Sequence, residues 1–314
     1  MDILTYQLSA PLSRAPQADL AAWMDHLARC PFTAPIERAL WAGLHADRIA
    51  YAFVGGYGAA LAQLVSSLPR RFPTQLSLCA TESGGAHPRQ IATRLDADGG
   101  RLRLVGEKTF ATLATVADEL LVVASEGIDG GGKNRLRLVR VRPDAKGVEI
   151  VEKAPLPFAP ELPHAVVRLR GVSVDDADVL PGDGYDDYLK PFRTVEDTHV
   201  LAATVGYLIG VARTYGFDRA IVTELAALTV VLVDLAARAP GEPLTHLLLA
   251  GAFATLRRVN ASLGPEWDRV SPDERARWLR DQPILMVADG VRNQRTASAW
   301  TALEAFETKK PGHP

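Results

Sequence analysis

Arg101-Leu102-Arg103-Leu104-Val105-Gly106-Glu107-Lys108-Thr109-Phe110-Ala111-Thr112 opens with a strict alternation of arginine and leucine. A period of two puts the leucines on one face of a strand and the arginines on the other, so the segment buries one side and wets the other. The same rhythm spreads outward from it. Leu136 and Leu138 alternate with Arg135 and Arg137, and Val167 and Leu169 with Arg168 and Arg170. Turn signals fall between these runs at Asp98-Gly99-Gly100, Asp129-Gly130-Gly131-Gly132 and Pro143-Asp144. The stretch 119–124 is essentially apolar, as a strand covered on both faces would be. No helix-length periodic segment interrupts residues 75–183, so the sheet is expected to be antiparallel.

Both flanks change period. From Gln17 to Ser67 the pattern is helical, and Ile49, Phe53, Ala60, Leu61 and Leu64 return at helical spacing although Gly55, Gly56 and Gly58 weaken the middle. Pro31, Pro35 and Pro69 punctuate this zone. Beyond Tyr185 the chain is helical again. Ile221, Leu225, Leu228, Leu232 and Leu235 form one seam at 4-3-4-3 spacing, the stripe of a bundle helix that Pro240-Gly241 ends. A further helix, Leu244–Asn260, stops at Gly264-Pro265, and Ser271-Pro272 reads as an N-cap followed by proline at the first helical position. The expected class is α+β: an N-terminal helical region (1–74), a central antiparallel β domain (75–184) and a C-terminal helical bundle (185–314).

Composition narrows the function. Lys+Arg number 35 against 37 Asp+Glu, a formal charge of −2, and 47% of residues are apolar. This is a soluble globular balance, and without a long Lys/Arg run it argues against nucleic acid or anionic membrane as the main partner. Two cysteines, Cys30 and Cys79, do not make a disulfide scaffold, and the start has no basic n-region before an apolar core. The apolar runs 200–212 and 225–237 fall short of the roughly 18 residues that span a bilayer. A cytoplasmic location is the default expectation. Gly127–Asn134 nearly spells a phosphate-binding loop, but Asn134 stands where a hydroxyl is needed and a strand follows, so a hairpin turn is expected. The histidines show no metal-ligand spacing and no serine sits in a hydrolase elbow. Gly206 and Gly210, four apart on an apolar helix, read as a site of close helix packing.

Several segments, taken in order, resemble the acyl-CoA dehydrogenase superfamily of flavoproteins from about Leu78 to Arg295. Cys79-Ala80-Thr81-Glu82-Ser83-Gly84-Gly85 is similar to the family's x-x-T-E-P-G-A segment, and Gly106–Thr112 to its G-x-K-x-W-I-T segment, with Ala117-Asp118 following. Val172-Ser173-Val174 and Leu180-Pro181-Gly182 resemble the end of the same domain. The resemblance implies an acyl-CoA dehydrogenase-like fold and FAD as cofactor. Ala80, Thr81, Phe110, Thr112 and Gly290 would be cofactor-binding, the threonines through hydroxyl and main-chain groups and Phe110 where a tryptophan is common. It implies α,β-dehydrogenation of an acyl-CoA or acyl-carrier thioester, with a homodimer or homotetramer and an electron-transfer flavoprotein as partners.

Such chemistry needs a carboxylate to remove a weakly acidic α-proton. The family's Y-E-G-T motif is matched by Ala288-Asp289-Gly290-Val291 after Arg280-Asp281, which puts Asp289 where the catalytic Glu stands. Other members carry the base on the first helix of the bundle; Glu196 occupies that alternative position, with Asp197 where their Arg would be. Three departures stand out. Ala86-His87-Pro88 replaces G-S-D; the R-x-x-F-G connection is lost around Tyr215–Arg219, leaving Arg213 or Arg219 for the diphosphate; and the N-terminal helical zone is short, with Phe53, Tyr57 and Leu61 as candidate pocket residues. These departures keep open a non-catalytic homologue acting as a binding or assembly subunit, and a flavin-dependent oxidase or monooxygenase.

Overall fold

The structure is a computed structural model that describes residues 1–66 and 75–308. Its helices are α1 (Ile3–Ser9), α2 (Leu20–Leu27), α3 (Pro35–His45), α4 (Ile49–Leu64), α5 (Lys190–Tyr215), α6 (Arg219–Ala237), α7 (Pro243–Ser262), α8 (Pro272–Asp281) and α9 (Asp289–Thr308). Its strands are β1 (Leu76–Cys79), β2 (Arg94–Asp98), β3 (Arg101–Thr112), β4 (Glu119–Ile128), β5 (Asn134–Val141), β6 (Val148–Glu152) and β7 (His164–Val174). Two compact units emerge: residues 1–60 with 194–314, and residues 61–193. The break at Pro69 expected from sequence lies outside the described residues.

The strand unit is one seven-stranded sheet in the order β1-β4-β2-β3-β7-β6, with β5 paired to β4. Most pairings are antiparallel, as the uninterrupted strand pattern implied. The sheet is nevertheless mixed, because β1 runs parallel to β4 from Leu76↔Glu119 to Cys79↔Val122. No crossover helix is required, since the β2–β3 hairpin supplies the length of chain that returns to the start of β4. The alternation holds in detail: Leu104, Leu136, Leu138, Val167 and Leu169 are buried, and Leu120–Ala124 is buried throughout. Residues 129–133 form the β4–β5 turn and not a phosphate loop. At Gly106, φ is +156° and an added Cβ would lie 2.5 Å from the Thr93 hydroxyl, so only glycine lets the segment before β2 come this near.

The helical unit joins the two ends of the chain. Sequence patterning began only at Gln17, yet α1 forms earlier, its first turn capped by Asp2 accepting from the Thr5 amide at 2.9 Å. Gln7 of α1 is fully buried and accepts a hydrogen bond from Thr229 Oγ1 of α6 at 3.1 Å. Trp23 is fully buried, stacks on Tyr51 and donates its indole N–H to the Tyr51 carbonyl at 2.9 Å. Phe53 and Tyr57 stack at 5.8 Å. The expected close packing at glycines is present: Cβ atoms built on Gly43, Gly206 and Gly210 would lie 1.9, 2.2 and 2.4 Å from carbonyls of Ala203, Leu40 and Leu44. Helices α3 and α5 therefore touch backbone to backbone.

The seam of α6 is buried at Leu225, Leu228, Leu232 and Leu235. This helix has 19 residues, mean hydropathy 2.1 and only a third of its length buried, enough by length and composition to cross a membrane. The uninterrupted apolar run begins only at Leu225, whereas the helix begins six residues earlier, at Arg219. Ser271 caps α8 as expected, accepting from the Glu274 amide. Cys30 and Cys79 are both free thiols.

Candidate functional site

In the strand unit, the two sequence segments singled out above are brought together by a buried ion pair. Lys108 is fully buried and donates to Glu82 Oε1 at 2.6 Å and to the Val123 carbonyl at 2.6 Å. Glu82 also accepts from the amides of Ala92 and Thr93 at 2.8 and 3.0 Å. Burial pushes the Glu82 carboxyl up, but the Lys108 hydrogen bond and charge and the two amides outweigh it and hold the group below the ordinary carboxylate range. This pairing joins Thr81's segment to β3, where the Thr109 amide donates to the Thr81 carbonyl at 2.8 Å and Thr81 bridges to Phe110. In the sequence Glu82 and Lys108 stand only as letters of the two motif segments. Their signal was the presence of an acid and a base at charged positions in segments that are otherwise sheet-forming.

Phe110 and Thr112 are two residues apart on β3 and share a face, and Thr112 pairs with His164 across to β7. Phe110, Thr112 and Thr81 are each partly exposed. Ala80 is buried, its carbonyl 3.5 Å from the Lys108 ammonium. The Thr112 carbonyl accepts from Ser77 Oγ at 2.8 Å. The hydroxyls of Thr81 and Thr112 have no partner among the described residues.

His164 was not singled out in the sequence. Its ring stacks on Phe110 with centroids 4.3 Å apart and 26° between planes. It is 7% exposed, and Nδ1 is buried with no hydrogen-bond partner. Burial, then the charge of Lys153, pushes this imidazole down to about 4, so it is neutral near pH 7. The Lys153 ammonium lies 6.0 Å from the Phe110 centroid. An aromatic ring, two unengaged hydroxyls and a neutral imidazole with an orphaned nitrogen fit a flat heteroaromatic ligand with polar edges, and so fit the ring system of FAD.

The carboxylate candidates belong to the helical unit. Asp289 is the first residue of α9 and is 36% exposed. Arg292 reaches Asp289 Oδ1 at 3.0 Å and Arg257 approaches the same oxygen at 3.8 Å, leaving Oδ2 without a partner among the described residues. A cavity of about 30 Å³ beside it is lined by Phe253, Asp289, Arg292 and Arg295 among others, space for a water-sized group. Gly290 is exposed, and an added Cβ would meet nothing within 4 Å. Glu196 stands half-buried in α5. Its neighbour Asp197 is the deeply buried carboxylate of that turn, accepting from Arg292 at 2.8 and 3.0 Å and from Arg295. Arg292 also lies 4.0 Å over the Phe253 ring. Asp197 thus ties α5 to α9 and, through Arg292, orients Asp289. Arg292 and Arg295, three apart on one helix face, were its signal in the sequence.

The departures from the family pattern also acquire locations. His87 is exposed, and Nδ1 accepts from the Arg89 amide at 3.3 Å, capping a short turn. Arg213 is committed to the carbonyls of Gln7 and Ala10 at 2.6 and 2.7 Å, while Arg219 is exposed in the first turn of α6. Of the two arginines considered for a diphosphate, Arg213 is therefore already in use. Among the described residues no cluster of three metal-ligating side chains occurs.

No protein-family model and no curated protein matches the sequence. Solved structures do. Butyryl-CoA dehydrogenase from Megasphaera elsdenii is 13% identical with a TM-score of 0.67, covering 90% of each chain. The FAD complex of PigA is 14% identical, with a TM-score of 0.66 over 96% of this chain and 92% of that one. The prolyl acyl carrier protein oxidase AnaB is 16% identical, with a TM-score of 0.64 over 94% and 96%. With helices at both ends and a strand unit between them, matched over nine-tenths of its length, the chain has the acyl-CoA dehydrogenase fold.

Proposed function

We propose that the chain is a flavoprotein oxidoreductase that binds FAD and removes hydrogen from the α and β carbons of an acyl thioester. The observation that carries this reading is the face of Phe110, Thr112 and Thr81, with its orphaned imidazole, in a fold shared with the FAD complex of PigA. FAD, when bound, supplies a two-electron acceptor. The chain's own part is to hold and to deprotonate. Thr81 and Thr112 offer hydroxyls to the polar edge of the ring, and Phe110 offers an apolar surface. Asp289 is the base: Arg292 anchors Oδ1, and Oδ2 takes the proton next to the thioester carbonyl. Glu196 is the alternative base. Carrier-bound as well as CoA-bound thioesters are substrates to test, since AnaB is a prolyl acyl carrier protein oxidase. An electron-transfer flavoprotein and a second copy of the chain are the proposed partners.

The two guanidinium groups at Asp289 favour one further reading. An acidic residue at a helix start, paired with arginines, is also a common stabilising arrangement. On that reading the chain keeps the scaffold and acts as a binding or assembly subunit.

Purified protein, as isolated or after incubation with FAD, should absorb near ~450 nm, a property of the flavin ring itself. Anaerobic addition of an acyl thioester should bleach that band. Asp289→Asn should retain the colour and lose the bleaching, with Glu196→Gln as the matching variant. Protein that stays colourless after reconstitution supports the scaffold reading instead.

A further inference from the structure

His164 belongs to none of the segments that carry the resemblance, yet on the Phe110 face its Nδ1 is a buried atom whose hydrogen bonding is incomplete. A buried polar nitrogen without a partner is costly, and native proteins rarely leave one unless a ligand or ordered water completes it. Its place makes a ligand the better explanation. The cross-strand pairing with Thr112 puts both side chains on one face of the sheet. Stacking on Phe110 at 4.3 Å fixes the imidazole plane, so its nitrogens are held rather than swivelling. The main chain around it is pinned as well, the His164 carbonyl accepting from the Lys153 amide and the neighbouring Pro163 carbonyl from the Leu113 amide at 2.8 and 2.9 Å. A rigid neutral imidazole beside a lysine charge is a suitable partner for a ring edge that gains negative charge when reduced.

We propose that His164 is a ligand-contacting residue of this face, its Nδ1–H donating a hydrogen bond to the carbonyl or nitrogen edge of a bound flavin. The proposal rests on the FAD reading above and adds a contact that the family resemblance did not supply. A donor at the edge that gains negative charge on reduction would favour the reduced ring over the oxidised one, so His164 would raise the reduction potential as well as the affinity.

Two variants separate hydrogen bonding from packing. His164→Phe keeps a ring against Phe110 and removes the nitrogens; His164→Gln keeps a donor and removes the stack. FAD affinity is read by flavin fluorescence on titrating apoprotein, and the two-electron midpoint potential by dye equilibration. His164→Phe should bind FAD about tenfold more weakly and lower the potential by about 30 mV, the tenfold equivalent for a two-electron couple, whereas His164→Gln should recover most of both. In the wild-type protein, nitrogen-15 resonances of the His164 ring should shift on adding FAD, a readout that needs no variant to fold. If wild-type protein binds FAD while the His164 resonances stay fixed, or His164→Phe matches it in affinity and potential, the proposal is overturned and the flavin reading stands. If wild-type protein binds no FAD, both fall.

Discussion

At the scale of single residues, the groups that hold the candidate site together are those whose burial would be costly if they were alone. Lys108 illustrates it: with no exposed surface, it is held by hydrogen bonds to Glu82 and two carbonyls. Lys108→Met should cost about 3–5 kcal/mol, because the carboxylate of Glu82 would stay buried without its counter-charge. Urea unfolding of the variant against wild type measures this, and an unchanged midpoint would show the pair to be dispensable. Histidines give a pH signature. His164 and His199 are both pushed down to about 4 by burial, against an ordinary value of 6.5. The unfolded chain therefore binds more protons between these values, so stability is full above about pH 6.5 and falls as pH drops toward 4. Melting temperatures across this window, with His164→Gln and His199→Gln flattening the slope, provide the check.

Elements were more legible in the sequence than contacts between them. The alternation at Arg101–Leu104 and the seam at Ile221–Leu235 set strand and helix correctly, because each face is decided locally by what it must bury. The parallel pairing of β1 with β4 was not legible, since intervening strands rather than a helix make the return. The role of Asp197 was hidden for a similar reason: its arginine partners lie 95 and 98 residues away. Phe110 and Thr112 could be read from their motif, but the imidazole beside them depends on strand register, which a pattern of single residues does not reveal. Glycine spacing on α5 did predict a contact. Gly206→Ala would put a methyl 2.2 Å from the Leu40 carbonyl, and should lower stability by about 1–3 kcal/mol through overpacking. Thermal unfolding tests it; a neutral result would mean that α3 and α5 can separate without loss.

For the whole molecule, the unused surface is informative. On α6 the buried leucine seam leaves Val230, Val231 and Val233 facing outward, with Val230 55% exposed. An apolar helix face of this kind is commonly covered by another chain. Light scattering should therefore report a mass above that of one chain at micromolar concentration, and Val230→Lys should reduce it toward monomer without lowering the melting temperature. A monomeric wild type would remove that expectation.

The division into units also dictates an order of assembly. Residues 61–193 are continuous, so every partner in the sheet is available once that stretch has left the ribosome. The helical unit is split, and Gln7 and Arg213 meet only across the intervening sheet-forming segment. Its N-terminal helices must wait, with apolar faces open to water, until α5 and α6 have been synthesised. During translation that interval is when the nascent chain is most exposed to chaperone capture and to proteolysis.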